Sequence, residues 1–417
     1  MKDIIVQKYG GTSVGDVDKI KKVARRVASY SRKGYKVVVV VSALGGTTDE
    51  LIKLADQINK NPSEREMDML LSTGEQVSVS LLAMALHKLG VDAISFTGAQ
   101  VGIRTDSSHT KARIVDIGTS RIKEKLKKGS VVIVAGFQGV SGDQEITTLG
   151  RGGSDMTAVA LAKVLKAREC EIYTDVKGVY TADPRLVKNA RKLESISYEE
   201  MLELASLGAQ VMQARSIEVA GKYNVPIHVR ASFCKEKGTM ISKEVRSMED
   251  VLVRGVTANK KEAKVTVCDV PDKPGEASKL FERLAEARIN VDMIIQNISR
   301  TRKTDISFTV PTSDLAKTQE VVRKVNKEIG AKGAKYDRDI AKISVVGIGM
   351  RSHSGVAAKM FKALAARKIN IEMISTSEIK ISCVIHRTDA DKAIKALHDS
   401  FGLGKKTLSR KKRAVRS

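Results

Sequence analysis

The sequence predicts an α/β fold in which a mainly parallel open sheet, sandwiched by helices, is followed by two smaller βαββαβ units. Two observations predict this organisation: strand and helix signals alternate through the first half of the chain, and a segment of the second half is repeated. Repeated βα units give parallel strands that helices cover on both faces. At 417 residues the chain exceeds what one hydrophobic core usually serves, so several domains are expected.

The alternating pattern of the first half comes from apolar runs bounded by turn residues and from apolar residues at helical spacing. The predicted strands are Ile4–Gln7, Val37–Ser42, Val131–Ala135 and Glu171–Thr174. The predicted helices are Asp18–Tyr30, Glu50–Ile58, Val77–Leu89 and Asp155–Leu165. Ligands bind beyond the carboxyl ends of the strands in open sheets of this type. Residues that follow these strands are therefore candidates for a functional site.

The second half contains an internal repeat. GEASKLF from Gly275 is matched by GVAAKMF from Gly355, and INVDMI from Ile289 by INIEMI from Ile369, at one offset and without insertion. Each copy predicts a strand, a glycine turn, a helix, a strand beginning at the Ile-Asn pair, a further strand and a second helix. The other predicted strands are Lys264–Cys268, Ile343–Val346, Asp305–Val310 and Lys380–His386.

These patterns divide the chain into a first domain and two repeat units with a tail. The predicted bounds are residues 1–245 for the first domain, 263–335 and 340–403 for the repeat units, and 404–417 for a basic tail. A strand within residues 250–262 is a candidate addition to the second repeat unit. The charged stretch Ser242–Asp250 is the candidate hinge.

The formal net charge of +25 makes nucleic acid a partner to consider. Aromatic residues make up only 4% of the chain, tryptophan is absent, and no stacking motif accompanies the basic residues. We therefore expect a solvated basic surface rather than a nucleic-acid interface, with nonspecific polyanion binding as the less favoured alternative.

Cysteine spacing and apolar runs exclude other classes. The four cysteines are far apart, which favours buried reduced thiols over a zinc site or a disulfide framework: Cys170, Cys234, Cys268 and Cys383. The six histidines are scattered, and no protein metal site is predicted. No signal peptide is visible, and the longest apolar stretch, Val37–Val41, is too short to cross a bilayer. We expect a cytoplasmic protein without a membrane partner.

Three glycine-containing segments at predicted strand ends carry candidate chemistry. KYGGTS, at residues 8–13, offers backbone N–H groups and a lysine to a phosphate, although it is not a Walker loop. SALGGTTD, at residues 42–49, offers small hydroxyl groups, or else Thr48 or Asp49 caps the following helix. GRGGSD, at residues 150–155, offers a guanidinium suited to a carboxylate, and Asp155 alternatively only favours the helix dipole.

Read in order, the motifs become specific. KYGGTS, SALGGTTDEL, LLSTGEQ, SFTG, VAGFQG, TTLGRGGSD and YTDVKGVYTADPR occur as in aspartate kinases, and the sequence resembles that family over almost its whole length. The resemblance implies an amino-acid-kinase fold followed by two ferredoxin-like ACT domains. It implies phosphorylation of the β-carboxylate of L-aspartate to 4-phospho-L-aspartate, with ATP and Mg²⁺. This is the first step of lysine, threonine and methionine biosynthesis.

The resemblance also implies roles for single residues. Lys8 would stabilise the transferring phosphoryl group, and Asp155 would orient Lys8. Arg151 would bind the α-carboxylate of aspartate, and Glu75 its ammonium group. The β-carboxylate would be held by hydroxyl groups, those of Thr47, Thr48 and Ser154. The nucleotide would contact Lys8, Tyr9, Gly10, Gly11, Ser42, Thr174, Asp175, Tyr180, Asp183, Pro184 and Arg185.

This division of roles is chemically coherent. A zwitterion with a second carboxylate needs one cation, one anion and neutral donors, and those are the residue types supplied. The attacking carboxylate is already ionised at neutral pH, so no general base is required. Catalysis then depends on positioning and on neutralising the phosphoryl oxygens.

The ACT-like units imply inhibition by lysine, threonine or both. The implied effector contacts are Asp272, Gly275, Ala277, Asn290, Val291, Asp292, Gln296, Val356, Ala357, Asn370, Ile371, Ser377 and Glu378. The second unit reads SHSG, ending at Gly355, where the first reads DKPG, and the missing proline is expected to loosen that turn. Relatives of this type form homodimers or α2β2 assemblies through ACT domains, and Met248 is suitably placed for an internal start of a smaller chain.

Three alternatives remain open on the sequence. A glutamate or acetylglutamate kinase is the nearest, and Glu75 argues against an N-acylated substrate because it suits a free ammonium group. A bifunctional enzyme with homoserine dehydrogenase is disfavoured, since only a tail follows the second repeat. An amino-acid-sensing or polyanion-binding protein with an inactive kinase fold is the third, and the intact set of Lys8, Glu75, Arg151 and Asp155 argues against it.

Overall fold

The computed structural model describes residues 3–208, 211–243, 252–297, 302–351, 353 and 355–405. The chain divides into two compact units. The first comprises Met1–Val179, Lys192–Ser206 and Gln210–Arg246, and the second comprises Tyr180–Arg191, Leu207–Ala209 and Ser247–Ser417. The segment Tyr180–Arg191, which contains the second half of the YTDVKGVYTADPR motif, thus belongs to the second unit.

The first unit alternates strands and helices. Its strands are β1 (Ile4–Tyr9), β2 (Lys36–Val41), β3 (Ala93–Phe96), β4 (Ile103–Thr105), β5 (Ile114–Ile117), β6 (Val131–Ala135), β7 (Gln138–Val140), β8 (Ile146–Thr148), β9 (Glu169–Thr174), β10 (Ser195–Ile196), β11 (Ile227–Ala231) and β12 (Thr239–Ile241). Its helices are α1 (Val17–Arg32), α2 (Thr47–Ile58), α3 (Glu64–Leu71), α4 (Thr73–His87), α5 (Ser120–Lys127), α6 (Gly153–Val164), α7 (Tyr198–Ser206) and α8 (Ala214–Tyr223).

An eight-stranded sheet in the order β10-β12-β11-β9-β1-β2-β6-β3 forms the centre of this unit. Every pair in it is parallel except β11 with β12, which confirms the predicted mainly parallel sheet. The valines of β2 are buried on both faces, as a central strand requires. Because β9, β1 and β2 are neighbours, their carboxyl ends at Thr174, Tyr9 and Val41 lie side by side.

Helices α2 and α6 begin earlier than the sequence predicts, each directly after a glycine. Helix α2 starts at Thr47 and α6 at Gly153, each preceded by a left-handed glycine, Gly46 at φ 87° and Gly152 at φ 75°. Among the described residues no side chain caps either helix, so the predicted capping by Thr48 or Asp49 is wrong. A glycine at the cap position leaves the first-turn side chains available for other contacts.

Helices α3 and α4 together cover Glu64–His87, a segment long and apolar enough to cross a membrane by length and composition alone. Half of its most apolar window is buried inside the protein. Val79, Leu82 and Leu86 pack in the same core as α1 and β2. These contacts explain the apolar composition of the segment as that of a core helix.

The second unit contains both repeats. Its strands are β13 (Gly255–Asn259), β14 (Glu262–Pro271), β15 (Ile294–Gln296), β16 (Lys303–Pro311), β17 (Gly333–Asp337), β18 (Ile340–Val346), β19 (Met373–Thr376) and β20 (Lys380–His386). Its helices are α9 (Glu276–Glu286), α10 (Leu315–Ile329), α11 (Val356–Ala365) and α12 (Ala390–Ser400).

Each repeat builds one four-stranded antiparallel sheet. The first has the order β15-β16-β14-β17, and the second has β13-β18-β20-β19, in which β13 comes from upstream of the first repeat. The strands β15 and β19 start several residues after the Ile-Asn pairs, so the predicted strand starts there are wrong. Asp292 N–H already bonds Thr309 O, and Glu372 N–H bonds Val384 O, so these segments run beside the next strand before regular pairing begins.

Several sequence predictions fall outside the described residues. The candidate hinge Ser242–Asp250 is described only to Lys243, and the basic tail only to Lys405. Met248 is outside as well. All four cysteines are free thiols, but only Cys170 and Cys383 are buried, so the expectation of four buried thiols is wrong for the other two.

Candidate active site

A cavity of about 540 Å³ lies in the first unit, at the carboxyl ends of β1 and β2. It brings together residues from all three glycine segments and from α4. The predicted site residues that line it are Lys8, Gly10, Gly11, Ser42, Thr48, Glu75, Arg151, Ser154 and Thr174. Their spread over more than 160 positions of sequence shows that the sheet topology assembles this site.

Main-chain atoms of the glycine turns after β1 and β2 form one wall of the cavity, which we call the glycine wall. A Cβ atom on Gly11 would lie 3.0 Å from the carbonyl oxygen of Ala43, and one on Gly45 would lie 3.3 Å from the carbonyl oxygen of Gly11. The turns after β1 and β2 thus pack backbone against backbone. This close packing requires glycine and presents main-chain polar groups to a ligand, as phosphate-binding turns do.

Lys8 lies beside this wall and is held by an acid. Its Nζ atom is 2.6 Å from Oδ1 of Asp155, and the two side chains are 13% and 7% exposed. A Cβ atom on Gly10 would lie 3.4 Å from the same Nζ, so the ammonium group lies over the glycine turn. The fold therefore unites the lysine of the first motif with the acid of the third.

Helices α2 and α6 both begin at the cavity. Thr48 and Ser154, in their first turns, line it. The N-terminal end of a helix carries partial positive charge and free N–H groups, so two such ends favour an anionic ligand. Hydroxyl groups at these positions can donate to a carboxylate.

Glu75 on α4 is an acid with an unsatisfied oxygen. The residue is 3% exposed, its Oε1 atom accepts from the backbone N–H of Ala43 at 3.1 Å, and its buried Oε2 atom has no hydrogen-bond partner among the described residues. Desolvation by burial raises the pKa of Glu75 to about 7. A buried acid with an open oxygen in a cavity is suited to a cationic group of a ligand.

Arg151 offers the cavity a guanidinium. Its side chain is 89% exposed, and one nitrogen lies 3.3 Å from Oδ1 of Asp49 in the first turn of α2. Its backbone carbonyl accepts from Nε2 of Gln213 at 2.6 Å, which fixes the loop. The sequence treated Asp49 only as a cap and missed this pairing, since nothing in either motif indicates that the two would meet.

The other predicted site residues are not among those that line the cavity. Thr47 is the first residue of α2, and Tyr9 is fully buried, stacked on Tyr173 with ring centroids 4.6 Å apart. Asp175 accepts a hydrogen bond from the Thr174 hydroxyl at 2.9 Å. The last four belong to the second unit and are not among the lining residues: Tyr180, Asp183, Pro184 and Arg185. Thr110, Phe137 and Thr148 also line the cavity, although the sequence assigned them no role; Phe137 and Thr148 lie within the VAGFQG and TTLGRGGSD motifs.

Glu169, Glu171 and His228 form a carboxylate–histidine cluster away from the cavity. Glu171 is 1% exposed, and both of its oxygens already accept hydrogen bonds from neighbouring side chains, those of Gln7, Tyr30, Tyr173 and Arg230. Arg230 neutralises its charge at 2.7 Å. The cluster is therefore a satisfied polar network between strands.

The implied effector residues lie on the two repeats of the second unit. Gly275 and Gly355 have nearly the same left-handed φ, 96° and 93°, and each precedes a helix, although the second turn has no proline. Those on the surface are Asp272, Asn290, Asp292, Gln296, Asn370, Ser377 and Glu378, and those partly or fully buried are Ala277, Val291, Val356, Ala357 and Ile371. Val356 and Ile371 pack in the core of the second repeat.

The acidic residues that follow the two Ile-Asn pairs form ion pairs between the two repeats. Lys342 on β18 contacts Asp292 and lies 2.7 Å from Glu262, and Lys264 on β14 contacts Glu372. Strand registers place the two lysines at equivalent positions of the two sheets. Lys342 is 1% exposed, so its charge depends on these acids. Asp292 thus has a partner inside the protein.

Replacing Lys342 with methionine is expected to destabilise the second unit by about 3–5 kcal/mol, because buried Glu262 would lose its counter-charge. Adding Glu262→Met should restore most of that stability, and thermal unfolding measures both. Lys264→Met is the matched control: its side chain is 22% exposed and faces one acid, so the loss should be smaller. Equal losses for the two lysine variants would contradict the account.

The carboxyl edge of the parallel sheet thus carries a glycine turn, a lysine paired with an acid, a buried glutamate and an arginine, a set suited to a phosphate chain beside an amino acid. The sequence profile of the amino acid kinase family matches residues 3–231, and that of the ACT domain matches residues 268–325 and 343–401.

An aspartokinase of Pseudomonas aeruginosa is 54% identical over 402 residues, which cover 96% of this chain and 98% of that protein. The crystal structure of E. coli aspartokinase III in complex with aspartate and ADP is similar with a TM-score of 0.81 at 25% identity, over 95% of this chain and 99% of that one. The lysine and aspartate complex of E. coli aspartokinase III gives a TM-score of 0.74 at 25% identity, over 96% and 100%. The chain therefore belongs to the aspartokinases, as its motifs indicated.

Proposed function

We propose that this cavity catalyses transfer of the γ-phosphoryl group of ATP to the β-carboxylate of L-aspartate, the reaction for which the aspartokinases are named. The observation that carries the proposal is the charge pattern of the cavity. It pairs a buried acid that has an open oxygen, Glu75, with an arginine, two helix N-termini and a lysine held over bare backbone. This pattern complements an amino-acid zwitterion beside a second carboxylate and a phosphate chain.

Aspartate is held by three kinds of contact in this proposal. Glu75 receives the ammonium group at its unpartnered oxygen, and Arg151 receives the α-carboxylate, for which it exchanges its exposed contact with Asp49. The hydroxyl groups and N–H groups at the starts of α2 and α6 hold the β-carboxylate, through Thr47, Thr48 and Ser154. Three fixed points leave the β-carboxylate oxygen as the atom that faces the phosphate, which favours transfer by positioning.

The nucleotide occupies the glycine wall. The turn at Gly10 and Gly11 and the backbone after Ser42 contact the phosphates, with Thr174 and Asp175 at the end of β9. The residues present fit a phosphate chain, because the glycine turn places main chain rather than side chains beside the Lys8 ammonium group. Tyr180, Asp183, Pro184 and Arg185 remain predicted nucleotide contacts.

Transfer depends on charge neutralisation. The β-carboxylate attacks the γ-phosphorus, the bond to the β,γ-bridging oxygen breaks, and ADP leaves with the electron pair. Lys8, oriented by Asp155, compensates the charge on the equatorial oxygens, and the backbone N–H groups support it. Further neutralisation of the phosphoryl oxygens would come from Mg²⁺ when it is bound to the phosphates of ATP. No proton has to be removed from the nucleophile, since the acid is ionised at neutral pH.

The repeats of the second unit bind an amino-acid effector, lysine or threonine, in this proposal. E. coli aspartokinase III has been crystallised with lysine, which supports lysine first. Activity measured with each amino acid alone and with both together tests the assignment. If neither changes activity or the melting temperature, the repeats are structural in this protein.

Two exposed residues at matching positions of the two repeats support the association of chains through these domains. Ile294 on β15 and Ile374 on β19 are 51% and 42% exposed, and each lies on a strand at the edge of its sheet. Exposed apolar residues on an unpaired edge favour contact with another copy, as a homodimer or an α2β2 assembly. Light scattering of the intact protein tests this, with Ile294→Lys expected to weaken the assembly.

We place the enzyme in the cytoplasm, at the entry to lysine, threonine and methionine biosynthesis.

ADP release in the presence of ATP, Mg²⁺ and one acceptor tests the substrate assignment. L-Aspartate is the expected acceptor, while glutamate should be poor because its longer side chain misplaces the reacting carboxylate. N-Acetyl-aspartate should fail because it has no ammonium group for Glu75. Turnover of N-acetyl-aspartate that equals turnover of aspartate would overturn the assignment of Glu75.

Arg151→Ala is expected to raise the KM for aspartate by about 10- to 100-fold, the range for losing a charged hydrogen-bonded contact, with a smaller change in kcat. Arg151→Lys should recover only part of the loss, since an ammonium cannot match the fork of a guanidinium. Asp49→Asn is the control, as it removes the resting partner of Arg151 and leaves the arginine in place. An unchanged KM for aspartate in Arg151→Ala would exclude the assigned role.

A further inference from the structure

Two buried hydroxyl groups join the glycine turn after β1 to the end of β11. Ser13 is 1% exposed and Ser232 is 5% exposed, and their Oγ atoms are 2.5 Å apart. The residues are 219 positions apart in sequence, so the contact exists only in the fold. Neither serine belongs to the substrate-binding set derived above.

The direction of the hydrogen bonds follows from counting protons. Oγ of Ser232 donates to the carbonyl oxygen of Thr174 at 3.1 Å. A hydroxyl group has one proton, so the proton between the two serines comes from Ser13. The chain therefore runs from the Ser13 hydroxyl to the Ser232 hydroxyl to the Thr174 carbonyl. The backbone N–H of Ser232 donates to the same carbonyl at 2.9 Å.

This chain connects the ends of three neighbouring strands, β1, β9 and β11. Ser13 closes the glycine turn, because its backbone N–H donates to the Gly10 carbonyl at 2.8 Å. Arg26 on α1 holds the far end by donating to the carbonyl oxygens of Ala231 at 3.2 Å and Cys234 at 2.9 Å. The hydroxyl pair is thus the side-chain link between the glycine turn and Thr174.

We propose that Ser13 and Ser232 are positioning residues for ATP. Their hydroxyl pair sets the distance between the glycine turn and Thr174, the two elements between which the phosphates lie. The inference rests on the proposed nucleotide site. Glu75 and Arg151 have no part in the chain, so aspartate binding does not depend on it.

Ser232→Ala tests the proposal, because it leaves the buried Ser13 hydroxyl without an acceptor. The KM for ATP is expected to rise about tenfold, a factor typical of one lost buried hydrogen bond, while the KM for aspartate stays within about twofold. The double variant Ser13→Ala/Ser232→Ala should be no worse than the single one, since both polar groups are then gone. Should Ser232→Ala fail to fold, Ser13→Ala carries the same expectation for the two KM values.

A second buried serine pair provides the control. Ser344 and Ser382 are 0% and 2% exposed, with their Oγ atoms 2.7 Å apart, on β18 and β20. Ser344→Ala should lower the melting temperature similarly and leave the KM for ATP unchanged. The proposal is overturned if Ser232→Ala leaves the KM for ATP unchanged, raises both KM values equally, or is matched by Ser344→Ala. A wild-type enzyme inactive with ATP and aspartate would instead refute the proposed function.

Discussion

Replacing Lys8 with alanine is expected to lower kcat by at least about 10³-fold, the upper range for removing one preorganised donor from a transition state. Lys8 is the side-chain cation that lies over the glycine turn, 2.6 Å from Asp155. The loss should be in kcat, because the charge that Lys8 compensates grows as the phosphoryl group transfers. Steady-state kinetics with ATP and aspartate measure it.

The same substitution has a structural cost that must be separated from the catalytic one. Without Lys8, Asp155 would keep a charge at 7% side-chain exposure with no counter-ion, which costs about 3–5 kcal/mol. Lys8→Met/Asp155→Asn removes both charges and should regain most of the stability but none of the activity. Recovery of activity in the double variant would show that Lys8 acts through stability alone.

Glu75→Gln is expected to raise the KM for aspartate by about 100-fold or more, because a neutral amide cannot pair with the ammonium group. The wild type should also show a pH dependence that the variant lacks. Burial raises the pKa of Glu75 to about 7, so the acid is protonated in the free enzyme below that pH. The kcat/KM for aspartate of the wild type should therefore fall as the pH drops from 8 to 6.

The free energy of unfolding of the aspartate-free enzyme should instead increase as the pH drops. The pKa of Glu75 rises from 4.5 in the unfolded chain to about 7 in the fold, so the protonated form is favoured and this contribution is lost as pH rises through about 7. Glu75→Gln removes a penalty on the order of 3 kcal/mol at pH 8 and little at pH 5. Thermal unfolding at the two pH values measures the difference. A variant that is less stable at pH 8 would contradict a desolvated acid at this position.

The sequence predicted the parts of the site that lie in glycine motifs, because glycine marks positions where the local backbone leaves no room for a side chain. The paired glycines after β1 and β2 indicated bare backbone, and the structure shows why: Gly11 packs against the Ala43 carbonyl. The continuous apolar run Val37–Val41 likewise predicted the central strand β2. Such features depend on neighbours close in the chain, which a single sequence displays.

Contacts between distant segments were not predictable in this way. The pairing of Arg151 with Asp49, and that of Ser13 with Ser232, join side chains from different motifs or from no motif. The ion pair between Lys342 and Asp292 shows the same limit, since the repeat marked the acid but not its partner. Helix starts were misplaced where glycine took the cap position, at Gly46 and Gly152.

The position of the phosphoryl group on aspartate decides whether the cavity acts on the β-carboxylate. Incubation with ATP, Mg²⁺, L-aspartate and hydroxylamine converts an acyl phosphate into a hydroxamate, whose position mass spectrometry and NMR can assign. We expect the β-hydroxamate, because Arg151 and Glu75 hold the α-carboxylate and the ammonium group. The α-hydroxamate, or ADP release without any hydroxamate, would contradict it.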